Sequence, residues 1–163
     1  MTQKPLFEVV FTSTGRSVGK LRNEVTVTAK SPFQTTNMLA TDEGKFQGGD
    51  DTAPTPLEYF LTGLVGFLMT QIRAFNKRLR VPIDDVTVTC DAHWQGLRDE
   101  VGPYQGHPVA LSLDIDVRSG ESPERIGLLV SAARRGCFIE QTLKQANDVK
   151  HRLRVNEADW TAI

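Results

Sequence analysis

Hydrophobic positions change their period along the chain, and each change marks an element. "LFEVVFTS" (6–13) and "NEVTVTAK" (23–30) are β-branched and partly alternating, so they read as strands. The glycines of "STGRSVGK" (13–20) suit a turn between them. Residues 33–39 carry a weaker third strand pattern, and "DEGKFQGGDDTAPTP" (42–56) has the composition of a loop. The period then turns helical. Thr55, Pro56 and Glu58 make a capping box with proline at the first helical position. Apolar side chains cover most of the circumference over 57–69. Charge returns at Arg73, Lys77 and Arg78, while Ile72 and Phe75 keep a stripe. That pattern predicts a helix whose first half is buried on nearly all sides. Gly63 and Gly66 inside it each cost about 1 kcal/mol against alanine, which predicts close approach of another element.

Strict alternation follows. In "VPIDDVTVTCDAHWQG" (81–96), Val86, Val88, Cys90, Ala92 and Trp94 share one strand face, and Thr87, Thr89, Asp91 and His93 the other. "VALSLDIDVRS" (109–119) places Val109, Leu111, Leu113, Ile115 and Val117 inward, and the loop 96–108 makes the two an antiparallel hairpin. "SPERIGLLVSAARR" (122–135) is a helix with Ser122 as cap and Ile126, Leu129, Val130 and Ala133 as its stripe, ended by Gly136. Cys137 opens a further helix to about residue 149, and "HRLRVNE" (151–157) suits an edge strand. The order β-β-(β)-α-β-β-α-α-(β) does not alternate strictly and predicts an α+β fold.

Composition narrows the classes. A chain of 163 residues is expected to be a single domain, 1–163. Its net charge of -1 argues against a nucleic-acid partner. The longest apolar stretch, 57–69, falls short of the roughly 20 residues that span a bilayer, so no membrane partner is expected. Two cysteines and no secretory pattern at the start point to a reducing, cytoplasmic setting. His93, His107 and His151 lack metal-ligand spacing, and phosphate-loop and dinucleotide fingerprints are missing, so neither metal nor cofactor is expected.

Cys137 is the residue with the most chemistry. A thiol at a helix start beside Arg134 and Arg135 is placed to favour the thiolate. The competing reading is a small apolar residue packed under the helix, and both stay open. Cys90, between Val88 and Ala92 on the apolar strand face, reads as core, and Glu58 is accounted for by the capping box.

Together, "GGDDTAPTPLEYFLTGLVGFLMTQ" (48–71), "VPIDDVTVTCDAHWQG", the hairpin and "RRGCFIEQTLKQ" (134–145) resemble the OsmC/Ohr family of bacterial thiol peroxidases, over roughly residues 20–155. The resemblance implies antiparallel sheets around a long buried central helix in an intertwined homodimer, with the active site between subunits. It also implies a cysteine on the central helix that attacks an organic hydroperoxide and a second cysteine that resolves the sulfenic acid to a disulfide. A glutamate and an arginine assist.

On that pattern Pro56 matches the opening proline and Cys137 the resolving cysteine. Phe67 falls where the attacking cysteine stands, and Leu57 where the glutamate stands, with Glu58 one residue late. Phe138 replaces a common proline, and Arg16 and Arg22 are candidates for the arginine. Phenylalanine offers no nucleophile, and the two-cysteine route needs two thiols within bonding reach. Three readings follow. The first is a homodimer without two-cysteine turnover, with an apolar interfacial pocket (Leu57, Glu58, Phe67, Arg134, Arg135) for a small hydrophobic ligand or with a regulatory role. The second is a one-cysteine hydroperoxide reductase using Cys137. The third is a structural or partner-binding protein.

Overall fold

Three antiparallel strands lead the chain: β1 (Val10–Ser17), β2 (Asn23–Ser31) and β3 (Thr35–Thr41), in the order β1-β2-β3. In this computed structural model residues 4–163 are described, and they divide into two compact units, Met1–Thr62 and Gly63–Ile163.

In the first unit β1 starts four residues later than the apolar run predicts. "STGRS" is strand rather than turn, since Gly15 pairs with Val25 and Arg16 with Glu24. The Arg16–Glu24 ion pair at 2.7 Å supports this register. The reversal is shorter, closed by the Val18 N–H donating to the Arg22 carbonyl at 3.0 Å. The loop after β3 contains a short 3-10 turn, Lys45–Gln47. It is tied down by Asp42, only 1% exposed, whose carboxylate accepts the Glu43 N–H, the Thr52 N–H and the Thr52 hydroxyl at 2.7–3.0 Å. The helix α1 (Pro56–Leu79) begins in this unit with the capping box in place. Glu58 Oε2 accepts the Thr55 N–H at 2.6 Å and the Thr55 hydroxyl at 2.8 Å, and Thr55 Oγ1 accepts the Glu58 N–H at 3.3 Å.

In the second unit α1 buries one stripe, Leu64, Leu68 and Ile72, rather than nearly every side. Gly63 meets the predicted close approach: a Cβ there would lie 3.4 Å from Ile139 Cδ1, whereas Gly66 faces open space in the single chain. The hairpin forms as β4 (Asp85–Leu97) and β5 (Gln105–Arg118). Val86, Val88, Cys90 and Ala92 pair with Val117, Ile115, Leu113 and Leu111, the register the alternation predicts. At the far end the register shifts so that Trp94 opposes Pro108, leaving Val109 outside the alternation and exposed. Proline cannot donate to the ladder, so a bulge next to it is the place where pairing slips.

Helix α2 (Pro123–Gly136) is capped by the Ser122 hydroxyl and buries Leu129 and Ala133. Helix α3 (Phe138–Lys144) stops after seven residues, well short of the predicted end near 149. The Asn147 amide donates to the carbonyls of Thr142 and Gln145, which draws the chain out of helix. The expected edge strand shrinks to β6 (Arg152–Leu153), paired with an unanticipated β7 (Thr161–Ala162). The guanidinium groups of Arg152 and Arg154 lie 5.3 and 5.1 Å from the ring centroid of Trp160. The class is α+β, as the order of elements predicts.

Candidate functional site

Cys137 is the single residue between α2 and α3, closing one helix and opening the other. Its N–H donates to the Arg134 carbonyl at 3.3 Å, and its carbonyl accepts the Gln141 N–H at 2.9 Å. The side chain turns inward and is fully buried. Sγ accepts one backbone N–H, that of Glu140, at 3.5 Å. Around it lies the apolar cluster of Leu68, Ile72, Leu129 and Ala133. Phe67 packs against the same cluster and stacks on Phe138, ring centroids 5.7 Å apart. Phe67 and Cys137 therefore share one apolar neighbourhood.

Both arginines have other partners. Arg134 Nε donates to Glu140 Oε1 at 3.0 Å, and Arg135 donates to the Ser131 hydroxyl at 2.8 Å. Helix α3 is two turns long, so little macrodipole stands behind the thiol. Burial pushes the other thiol, Cys90, up in pKa, with a smaller contribution from the negative charge of Asp91. Both cysteines are free.

Leu57 and Glu58 belong to the first unit. Leu57 is exposed, and the Glu58 carboxylate is engaged by Thr55, whose N–H and then hydroxyl hold it below the usual glutamate range. Of the two candidate arginines, Arg16 pairs with Glu24, and Arg22 donates to the carbonyl and hydroxyl of Thr52.

A residue that sequence reasoning passed over lies on the wall of a cavity in the second unit. A cavity of about 410 Å³ opens between α1, β5, α2 and α3. Leu64 and Leu68 line it from α1, Leu111, Leu113 and Ile115 from β5, and Val130 from α2. Arg134, Glu140, Leu143 and Lys144 complete the wall. The Glu140 side chain is 8% exposed, and its Oε1 receives both Arg134 at 3.0 Å and Lys144 at 2.8 Å. The spacing of Glu140 and Lys144, four residues apart on a helix, was the visible signal. Of the expected pocket residues, Arg134 lines this cavity; Phe67 and Arg135 belong to the same unit but are not part of its wall. Among the described residues, acidic, histidine and cysteine side chains form no group able to hold a metal ion. No helix among them is long and apolar enough to cross a membrane.

The family pattern described as OsmC-like protein matches residues 48–152. A crystal structure of an OsmC-like hydroperoxide resistance protein from Jannaschia sp. CCS1 is 42% identical, with 95% of this chain and 98% of that one covered and a TM-score of 0.64. The organic hydroperoxide resistance protein OsmC of Legionella pneumophila, 18% identical, superposes over 86% of this chain and 92% of its own with a TM-score of 0.57. An organic hydroperoxide resistance protein from Elizabethkingia anophelis, 17% identical, shares the fold at a TM-score of 0.57 over 87% of this chain and 91% of that chain. A comparison with curated proteins found no match. The chain belongs to the OsmC-like protein family.

Proposed function

We propose that this OsmC-like protein is a homodimer that does not turn over peroxide through two cysteines, and that the cavity between α1, β5, α2 and α3 takes a small hydrophobic ligand. The observation that carries this reading is Phe67, an aromatic ring packed against the cluster that encloses Cys137. In two-cysteine peroxide reduction a thiolate attacks one peroxide oxygen, the alcohol departs, and a sulfenic acid remains. A second thiol then displaces water to form the disulfide. Phe67 can supply neither sulfur nor charge. Cys90, the remaining thiol, is a strand residue opposite Leu113, its thiolate disfavoured by burial. The one-cysteine alternative is weakened by the complete burial of Cys137 and by the engagement of Arg134 and Arg135 elsewhere. Ligand binding is supported by the cavity itself, whose volume falls within the range of roughly 300–1,000 Å³ common to small-molecule sites. Leu111 and Leu143, both on its wall and both exposed in the single chain, give a second copy an apolar surface to face.

The test is consumption of cumene hydroperoxide with a dithiol reductant. The expected rate equals that of reductant alone, and Cys137→Ser leaves it unchanged. Catalytic consumption that Cys137→Ser abolishes rejects the proposal.

A further inference from the structure

Aliphatic surface and surplus positive charge meet on the wall of the cavity between α1, β5, α2 and α3. Leu64 and Leu68 line it from α1, and Leu113 and Ile115 from β5. The charged residues on the same wall are Arg134, Glu140 and Lys144. Arg134 and Lys144 both pair with one oxygen of Glu140, at 3.0 and 2.8 Å. Two positive charges thus share a single negative one, and the group keeps a positive charge in excess.

Exposure divides these three residues in the same sense. The Glu140 side chain is 8% exposed, whereas those of Arg134 and Lys144 are 51% and 48% exposed. A ligand at this wall therefore meets the cations rather than the carboxylate. Their donors are not all spent. Arg134 reaches Glu140 through Nε alone, and its two Nη groups have no partner among the described residues. Lys144 carries three N–H donors and has Glu140 as its one partner among the described residues. The two Nη groups of a guanidinium form a planar fork that matches the two oxygens of a carboxylate.

An ammonium head would add a third cation to this group, and a neutral head would leave the surplus charge unanswered. A carboxylate answers the charge and accepts from donors that are free. From this juxtaposition of aliphatic wall and half-exposed cations we infer that the cavity binds an aliphatic carboxylate. Its head lies at Arg134 and Lys144, and its chain lies against Leu64, Leu68, Leu113 and Ile115. This rests on the ligand-binding reading of the same cavity and gives that ligand its chemical class.

Calorimetric titration of the full chain at neutral pH with octanoate, hexanoate, 1-octanol and octylammonium tests it. Hydrogen bonds between charged partners are strong enough that octanoate should bind at least roughly tenfold tighter than octanol. Each buried methylene tightens binding roughly fourfold, so octanoate should also exceed hexanoate by roughly tenfold. Octylammonium should bind more weakly than octanol. Lys144→Gln leaves the Arg134–Glu140 pair in place and removes the surplus charge. In it the preference for octanoate over octanol should fall at least roughly threefold.

Octanol binding as tightly as octanoate overturns this inference while leaving a hydrophobic site intact. Equal binding of hexanoate and octanoate overturns it as well, since the chain would then lie outside the cavity. So does a preference for octanoate that Lys144→Gln leaves unchanged. No binding of any probe overturns both the inference and the ligand-binding reading. The four-probe series on the unaltered protein decides the question even where Lys144→Gln does not fold.

Discussion

Asp42 shows how much one side chain can organise. Its carboxylate gathers two N–H groups and a hydroxyl, so the loop from β3 to α1 is built around a buried anion. The Thr52 hydroxyl, then the Thr52 N–H, hold its pKa below the usual aspartate value. A depressed folded-state pKa contributes stability that is complete above the unfolded value of roughly 3.9 and is lost as pH falls through the folded value. Denaturant midpoints measured between pH 7 and pH 2 should therefore decline steeply below about pH 4. Asp42→Asn should be less stable at neutral pH and decline more gently in acid. Parallel curves for the two proteins would mean that Asp42 has no share in the acid limb. Glu140 contrasts with Asp42. Asp42 has its partners within its own loop, whereas Glu140 takes Arg134 and Lys144 on one oxygen and keeps the other buried without a partner among the described residues.

At the scale of elements, Gly136 illustrates a constraint imposed by a neighbour. A Cβ there would come within 2.7 Å of Phe75 Cζ, so a side chain at residue 136 would have to push the Phe75 ring aside where α2 ends against α1. Gly136→Ala should destabilise by about 1–3 kcal/mol through overpacking, read from the denaturant midpoint. Gly63→Ala, with Ile139 Cδ1 at 3.4 Å, should change stability by less than about 1 kcal/mol, because helix propensity offsets the tight contact. These elements were legible in the sequence wherever a local rule acted alone. The capping box at Thr55 and Glu58, the Ser122 cap and the pairing of Val86 through Ala92 all appear as their patterns predict. The pattern misled where partners decide: "STGRS" is strand because β2 pairs with it, and Val109 leaves the ladder because Pro108 cannot donate. The site was harder to read for the same reason. Cys137 stood out through its neighbours in sequence, yet Arg134 turns to Glu140, a contact that exists only once α3 folds back on α2.

For the whole molecule, the apolar side chains left outside matter most. Leu111, Leu128, Phe138 and Leu143 of the second unit are 42–65% exposed. On α1, Gly66 faces open space although glycine costs a helix about 1 kcal/mol against alanine. Both observations make sense if a second copy of the chain covers this surface, with Gly66 permitting close approach of its helix. In a two-fold dimer each contact is made twice, so a bulky side chain at one position is felt on both sides of the axis. Gly66→Leu separates the alternatives because its effects on folding and on assembly have opposite signs. Within one chain a Cβ at residue 66 meets nothing within 4 Å, and leucine improves helix propensity, so the isolated subunit should be no less stable. Across an interface the same side chain clashes with the partner. Sedimentation at micromolar concentration should give the unaltered protein about twice the 18.1 kDa of the chain and Gly66→Leu close to that single-chain mass. A Gly66→Leu protein that stays dimeric with unchanged affinity would place the contact elsewhere, and the unfilled space beside Gly66 would then need a different occupant.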